Sequence, residues 1–169
     1  MVAGDIQNSV EAGDRLVKSW YQTYLGRTAD GAEEMGWVSK LQAGQTQEQV
    51  LSQILGSTEF YARAQTMGFT GTADQNYVQA LFQALLSRTA SDAEVAGWSS
   101  TLPQLGTQGV ALGFLQSQEF RTYQFEAYYN AFLGRPDDPT GLTGWVQSSN
   151  DMGTVRIGFE SGTEFLTNG

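Results

Sequence analysis

Carboxylates are the side chains most available for chemistry here: 18 Asp and Glu stand against 9 Lys and Arg, and His and Cys are absent. That absence removes the Ser-His-Asp and Cys-His nucleophiles, zinc sites of the usual ligand types and any disulfide framework. Acidic side chains can still form a glycosidase-type pair, hold a hard cation, or pair with arginine inside a scaffold. For the first, no two carboxylates stand apart from ordinary solvated or helix-capping ones. For the second, the acidic loops at Asp30-Gly31-Ala32-Glu33-Glu34, Ser91-Asp92 and Asp137-Asp138 offer oxygen ligands, with Asp30, Asp137 and Asp138 as the candidates. They lack the D-x-[DN]-x-[DN]-G order of an EF-hand loop, and helix capping already accounts for Asp30, Glu33 and Glu94. The expectation is therefore no cofactor, with calcium as the one ion these loops could take. Glycine-rich phosphate loops are absent.

The third option is favoured by repetition. WYQTYLGRTADGAEEMGW, LFQALLSRTASDAEVAGW and YYNAFLGRPDDPTGLTGW align without a gap around Arg27, Arg88 and Arg135. Ten residues after each arginine stands a tryptophan, Trp37, Trp98 and Trp145, each preceded by a glycine. Each unit closes on a Glu-Phe pair: Glu59-Phe60, Glu119-Phe120 and Glu164-Phe165. Arginine and glutamate recurring together predict ion pairs of Arg27 with Glu59, Arg88 with Glu119 and Arg135 with Glu164, bidentate where the fork geometry allows. The tryptophans lie on amphipathic helix positions and are expected in the core. These nine residues read as a structural signature; no catalytic residue is singled out and the binding residues stay unassigned.

The elements that position them are helices. Before each arginine, apolar residues fall at i, i+3, i+4, i+7 and i+8: Val17, Trp20, Tyr21, Tyr24, Leu25, then Val78, Leu81, Phe82, Leu85, Leu86, then Phe125, Tyr128, Tyr129, Phe132, Leu133. Gly26 and Gly134 follow, suited to a left-handed helix end; Ser87 fills that place less well. Asp30-x-x-Glu33 and Ser91-x-x-Glu94 are capping boxes opening a second helix, and Asp138-Pro139 opens it in the third copy. A third helix begins near Thr46, Thr107 or Asp151. In the last copy Arg156 and Glu160 replace the apolar Leu51 and Leu55, as expected of a terminal repeat with no successor.

The predicted fold is all-α, a helical repeat bundle of three similar units with roughly eight or nine helices. The organisation is a lead-in over 1–15, units at 16–65, 77–120 and 121–169, and a linker at 66–76, packed as one domain or two closely associated ones. From Glu119 the sequence runs on without Gly or Pro, so the closing helix of the second unit continues into the third.

A formal net charge of −9 disfavours nucleic acid and anionic lipid as partners. No stretch of about 18 apolar residues and no signal-peptide core is visible, which predicts no membrane insertion. The Gly-, Thr-, Gln- and Ser-rich composition resembles that of bacterial secreted or surface proteins.

The pattern aromatic-x-x-x-Leu-Gly-Arg-x-x-Asp-x-x-Gly-x-x-x-Trp, closed later by Glu-Phe, resembles the bacterial family known as domain of unknown function 4214. The third copy carries it most fully, through Leu133, Gly134, Arg135, Asp138, Gly141, Trp145 and Glu164-Phe165, and the likeness spans residues 16–165. Glu33 stands for the family glycine in the first copy, and Ser91 and Glu94 stand for Asp and Gly in the second. A more distant resemblance is to the helical linker domain of phycobilisomes. Both likenesses imply assembly rather than turnover, in secreted or surface-layer bacterial proteins. The expectation is a non-enzymatic interaction or adhesion module, extracellular or at the cell surface, with protein or a surface polysaccharide as partner and an open oligomeric state. The alternative is a calcium-assisted carbohydrate or surface-polymer binder.

Overall fold

The computed structural model describes residues 10–133, 139–148 and 150–161, and among these it is helical without a strand. The first unit holds α1 (Val10–Trp20), running on as a wider π-wound turn over Tyr21–Leu25, then α2 (Gly31–Gln42), α3 (Gln47–Leu55) and α4 (Thr58–Ala64). The second holds α5 (Ala73–Leu86), α6 (Asp92–Ser99), α7 (Leu102–Gln116) and α8 (Gln118–Leu133). The third uses the latter half of α8 with α9 (Pro139–Gln147) and α10 (Met152–Ser161). Among the described residues this is one helix more than the upper expectation. Ser57 takes an extended backbone and its hydroxyl caps Phe60 N–H, so the closing segment of unit one stands apart as a helix of its own.

Local chemistry accounts for the boundaries. Gly26 (φ 69°) and Ser87 (φ 54°) both end their helices in the left-handed region, which the glycine adopts freely and the serine adopts at a cost. Both expected capping boxes form, and two more open α3 (Thr46 with Gln49) and α5 (Thr72 with Gln75). The last of these shortens the expected 66–76 linker, because α5 starts at Ala73, five residues before its periodic apolar run begins at Val78. Inside α7, Gly106 (φ 68°, ψ 173°) breaks the helix, so the stretch expected to begin near Thr107 follows directly on a helical turn from Leu102.

The main core is shared by units one and two, with Tyr77, Phe60, Phe82, Phe114, Phe120 and Leu51 sealed inside. Its central contact is α3 against α7. There the backbones approach so closely that a Cβ on Gly56 would lie 2.6 Å from Gln108 Cα. The Tyr77 hydroxyl lies 3.1 Å from the Leu55 carbonyl and 2.8 Å from that of Thr107, whose own hydroxyl donates to Gly56 O at 2.6 Å. Unit three has a smaller core of its own, Phe125, Tyr129, Leu142, Val146 and Val155. It is not simply a terminal cap: α10 returns to α3 of the first unit, and Met152 is buried in the main core.

Candidate functional site

Arg27 and Arg88 sit where the first helix of a unit hands over to the second, and both grip two glutamates. Arg27 donates from Nη1 and Nη2 to Glu33 at 2.8 and 2.7 Å, from Nε and Nη2 to Glu59, and from Nη1 to Thr28 O at 3.0 Å. Arg88 repeats this with Glu94 (3.2 and 2.6 Å), Glu119 (2.7 and 2.9 Å) and Thr89 O (3.2 Å). A guanidinium has five N–H donors, and this arrangement engages all five. Each also lies over an aromatic ring, Arg27 Cζ 4.9 Å from the Tyr21 centroid and Arg88 Cζ 4.7 Å from that of Phe82. The clusters are half-exposed, with 37% of the Arg27 side chain and 35% of Arg88 open to solvent. Arg135 and Glu164 lie outside the described residues.

Sequence reasoning assigns Glu33 and Glu94 to capping alone, and the structure gives each a second task. Glu33 Oε2 accepts the Asp30 N–H at 3.1 Å while both its oxygens receive Arg27. The capping box and the ion pair are thus one network tying the end of α1 to the starts of α2 and α4. The spacing Arg-x5-Glu in both copies is the signal that reveals it.

These contacts favour the ionised carboxylates. The arginine in each cluster, followed by backbone N–H at the cap, holds Glu33 and Glu94 down at about 2, and Arg27 also lowers Glu59. A carboxyl lowered in the folded state supports stability above its ordinary value near 4.5 and loses that support as pH falls toward 2. Glu33 and Glu94 are therefore expected to leave the melting temperature nearly unchanged from pH 7 to 5 and to make it fall steeply below 4.5. Glu33→Gln and Glu94→Gln together should flatten that fall, as measured by thermal unfolding across the pH range.

The signature tryptophans are half-buried, each in a different setting. Trp37 donates its indole N–H to Tyr21 Oη at 2.8 Å and carries Lys40 Nζ 4.3 Å above its ring. Trp98 stacks on Phe114 at 4.3 Å and covers Gly113, whose Cβ would come within 3.1 Å of the indole. Trp145 covers Gly158 in the same way, at 3.0 Å. Unit one has Ile54 where unit two has Phe114, and beside Trp37 it keeps a cleft of about 390 Å³ lined by Tyr21, Glu33, Lys40 and Glu59. Around the preceding glycines, Gly36, Gly97 and Gly144, an added Cβ would meet nothing within 4 Å; nothing in the structure explains their recurrence.

The two units that carry this network are also the part of the chain that a family model matches. A family described as Domain of unknown function (DUF4214) matches residues 11–64 and 63–124, two adjacent copies. The chain belongs to the DUF4214 family. The two DUF4214 copies are the units built around Arg27 and Arg88; the third unit falls beyond the matched residues. No curated protein and no solved structure matches the chain.

Of the candidate calcium ligands, Asp30 is a helix cap, its Oδ1 accepting Ala32 N–H at 3.0 Å and Glu33 N–H at 2.9 Å. Asp137 and Asp138 lie outside the described residues. Among the described residues no three acidic side chains gather as a metal site, and no helix is long and apolar enough to cross a membrane.

Proposed function

We propose that this DUF4214 chain is a non-enzymatic helical interaction module of a secreted or surface-exposed bacterial protein, acting in assembly or adhesion through a protein or surface-polysaccharide partner. The observation that carries the reading is the saturation of the repeated polar residues. Arg27 and Arg88 have all five donors engaged within the fold, and their glutamates are bound in return. A group so engaged holds geometry and has no donor left for a substrate. The acidic charge supports a partner other than nucleic acid.

A second reading rests on the cleft beside Trp37, where an indole, a tyrosine hydroxyl, a lysine and two glutamates line one opening. Such a mixture suits a sugar face and its hydroxyls, and it supports the reading of a calcium-assisted carbohydrate binder. Calorimetry separates the two. A calcium titration of the whole chain, followed by chelator, is expected to release no heat and leave the melting temperature in place. Heat together with a chelator-reversible rise in melting temperature would replace the first reading with the second.

A further inference from the structure

Among the described residues, α10 of the third unit packs on α3 of the first, and Tyr24 of the first lies near Tyr123 and Tyr128. The apolar core of the third unit is separate, and of its described residues Met152 alone enters the main one. Two clefts flank the junction. One of about 520 Å³ opens between α1–α3 and the start of α10, bordered by Leu16, Leu41, Gln47, Gly153 and Ile157. Another of about 340 Å³ opens between the start of α3, Arg121 on α8 and the end of α9. Between them stands Glu48, only 4% exposed, whose Oε1 accepts the Met152 N–H at 2.7 Å. Its Oε2 is sealed from solvent and meets no hydrogen-bond partner among the described residues. Aligned on the buried stripes of the third helices, the matching positions are Gln108 in unit two and Gly153 in unit three, so the carboxyl is particular to this junction.

We propose that Glu48 is a proton-operated latch: the third unit docks on the first with this carboxyl protonated and is released as the carboxyl ionises. The proton sits on Oε2, leaving Oε1 to accept from the α10 backbone. A charged oxygen sealed from water without a partner is costly, whereas the neutral acid is tolerated. The backbone N–H groups of Glu48 and Met152 and the charge of Arg121 favour the ionised form, but burial outweighs them. Arg121 directs its guanidinium to the carbonyls of Trp145, Val146, Ser148 and Asn150, capping the end of α9. Asp151 adds a negative charge beside Glu48, and burial is the largest influence raising its titration. α7 and α9 carry no titratable side chain; α10 carries Arg156, one turn past Met152, and Glu160 a turn further on; on α2, Lys40 is engaged with Gln53 toward the other end of α3. With the unit released, Glu48 would be a solvated carboxylate in the first turn of α3, where the helix N-terminus favours the charge. Docking therefore takes up a proton. It tightens as pH falls toward the ordinary carboxylate range and weakens as pH rises through the raised value of the docked state.

The test follows the whole chain and its Glu48→Gln variant at pH 5 and pH 8, by small-angle scattering and by NMR of the Glu48 carboxyl carbon and the Met152 amide. The expected wild-type result is a larger radius of gyration at pH 8, and a Glu48 carboxyl titrating above the ordinary range. Met152 exchange, corrected for its intrinsic rate, should quicken about tenfold for each unit of that elevation. Glu48→Gln should stay compact at both pH values. A Glu48 carboxyl that titrates in the ordinary range, or a Glu48→Gln chain that expands between pH 5 and 8 as the wild type does, would overturn the proposal. The carboxyl titration on the unaltered chain decides the question even where the variant folds poorly.

Discussion

Phe114→Ala is expected to destabilise the protein by about 3 to 5 kcal/mol, the range for truncating a sealed aromatic side chain. Phe114 is 1% exposed and lies between two rings, edge-on to Phe82 at 4.8 Å and stacked on Trp98 at 4.3 Å. Its loss opens a void under the signature tryptophan of unit two and removes two aromatic contacts beyond the area lost. The neighbours cannot close in readily. Phe82 is held beneath Arg88, and Trp98 already rests against Gly113. Urea unfolding measures the cost, and near-UV circular dichroism should show the Trp98 environment loosening at the same time. A cost below about 1 kcal/mol would mean that Trp98 is not anchored in the core.

The second large effect is predicted at the junction of the two DUF4214 units. Gly56 has an ordinary helical-end backbone (φ −85°, ψ −1°), so alanine there suffers no conformational strain of its own. Its Cβ would nevertheless lie 2.6 and 2.7 Å from the Cα and N of Gln108, and backbone atoms cannot rotate aside. α3 and α7 must separate, weakening the Thr107 and Tyr77 hydrogen bonds that depend on their approach. Gly56→Ala should cost about 2 to 4 kcal/mol through overpacking and these lost bonds. Gly97→Ala is the control: its surroundings are open, and it should stabilise α6 by about 0.5 to 1 kcal/mol. If both substitutions prove neutral, the close approach of the two units is wrong.

Much of this architecture is legible in the sequence because it is written at helical period. The apolar spacing from Val17 to Leu25 and from Val78 to Leu86 locates the first helix of each matched copy, and Asp30 and Ser91 mark where the second begins. The recurrence of Glu59 and Glu119 after their arginines is a long-range signal that only repetition makes visible. What escapes is geometry that no local pattern encodes. Glu33 and Glu94 satisfy the capping rule so well that their second role is hidden. The Glu48–Met152 bond joins residues 104 positions apart and occurs once, so repetition cannot expose it. The glycine break at Gly106 is hidden because Pro103, near the start of a helical turn, is itself compatible with a helix. The different settings of Trp37 and Trp98 depend on Ile54 against Phe114, one side chain in an otherwise shared stripe.

The central claim is that the repeated arginine, tryptophan and glutamate hold the polypeptide in shape. Thermal unfolding of Arg88→Ala tests it most directly. The substitution removes the fork that joins Glu94, Glu119 and Thr89, together with the guanidinium over Phe82. With about a third of the side chain in solvent, screening reduces the loss to about 1 to 2 kcal/mol, or a fall of about 2 to 8 °C for a chain of this length. A melting temperature equal to that of the wild type would contradict the claim and turn Arg88 from part of the scaffold into a residue awaiting a ligand.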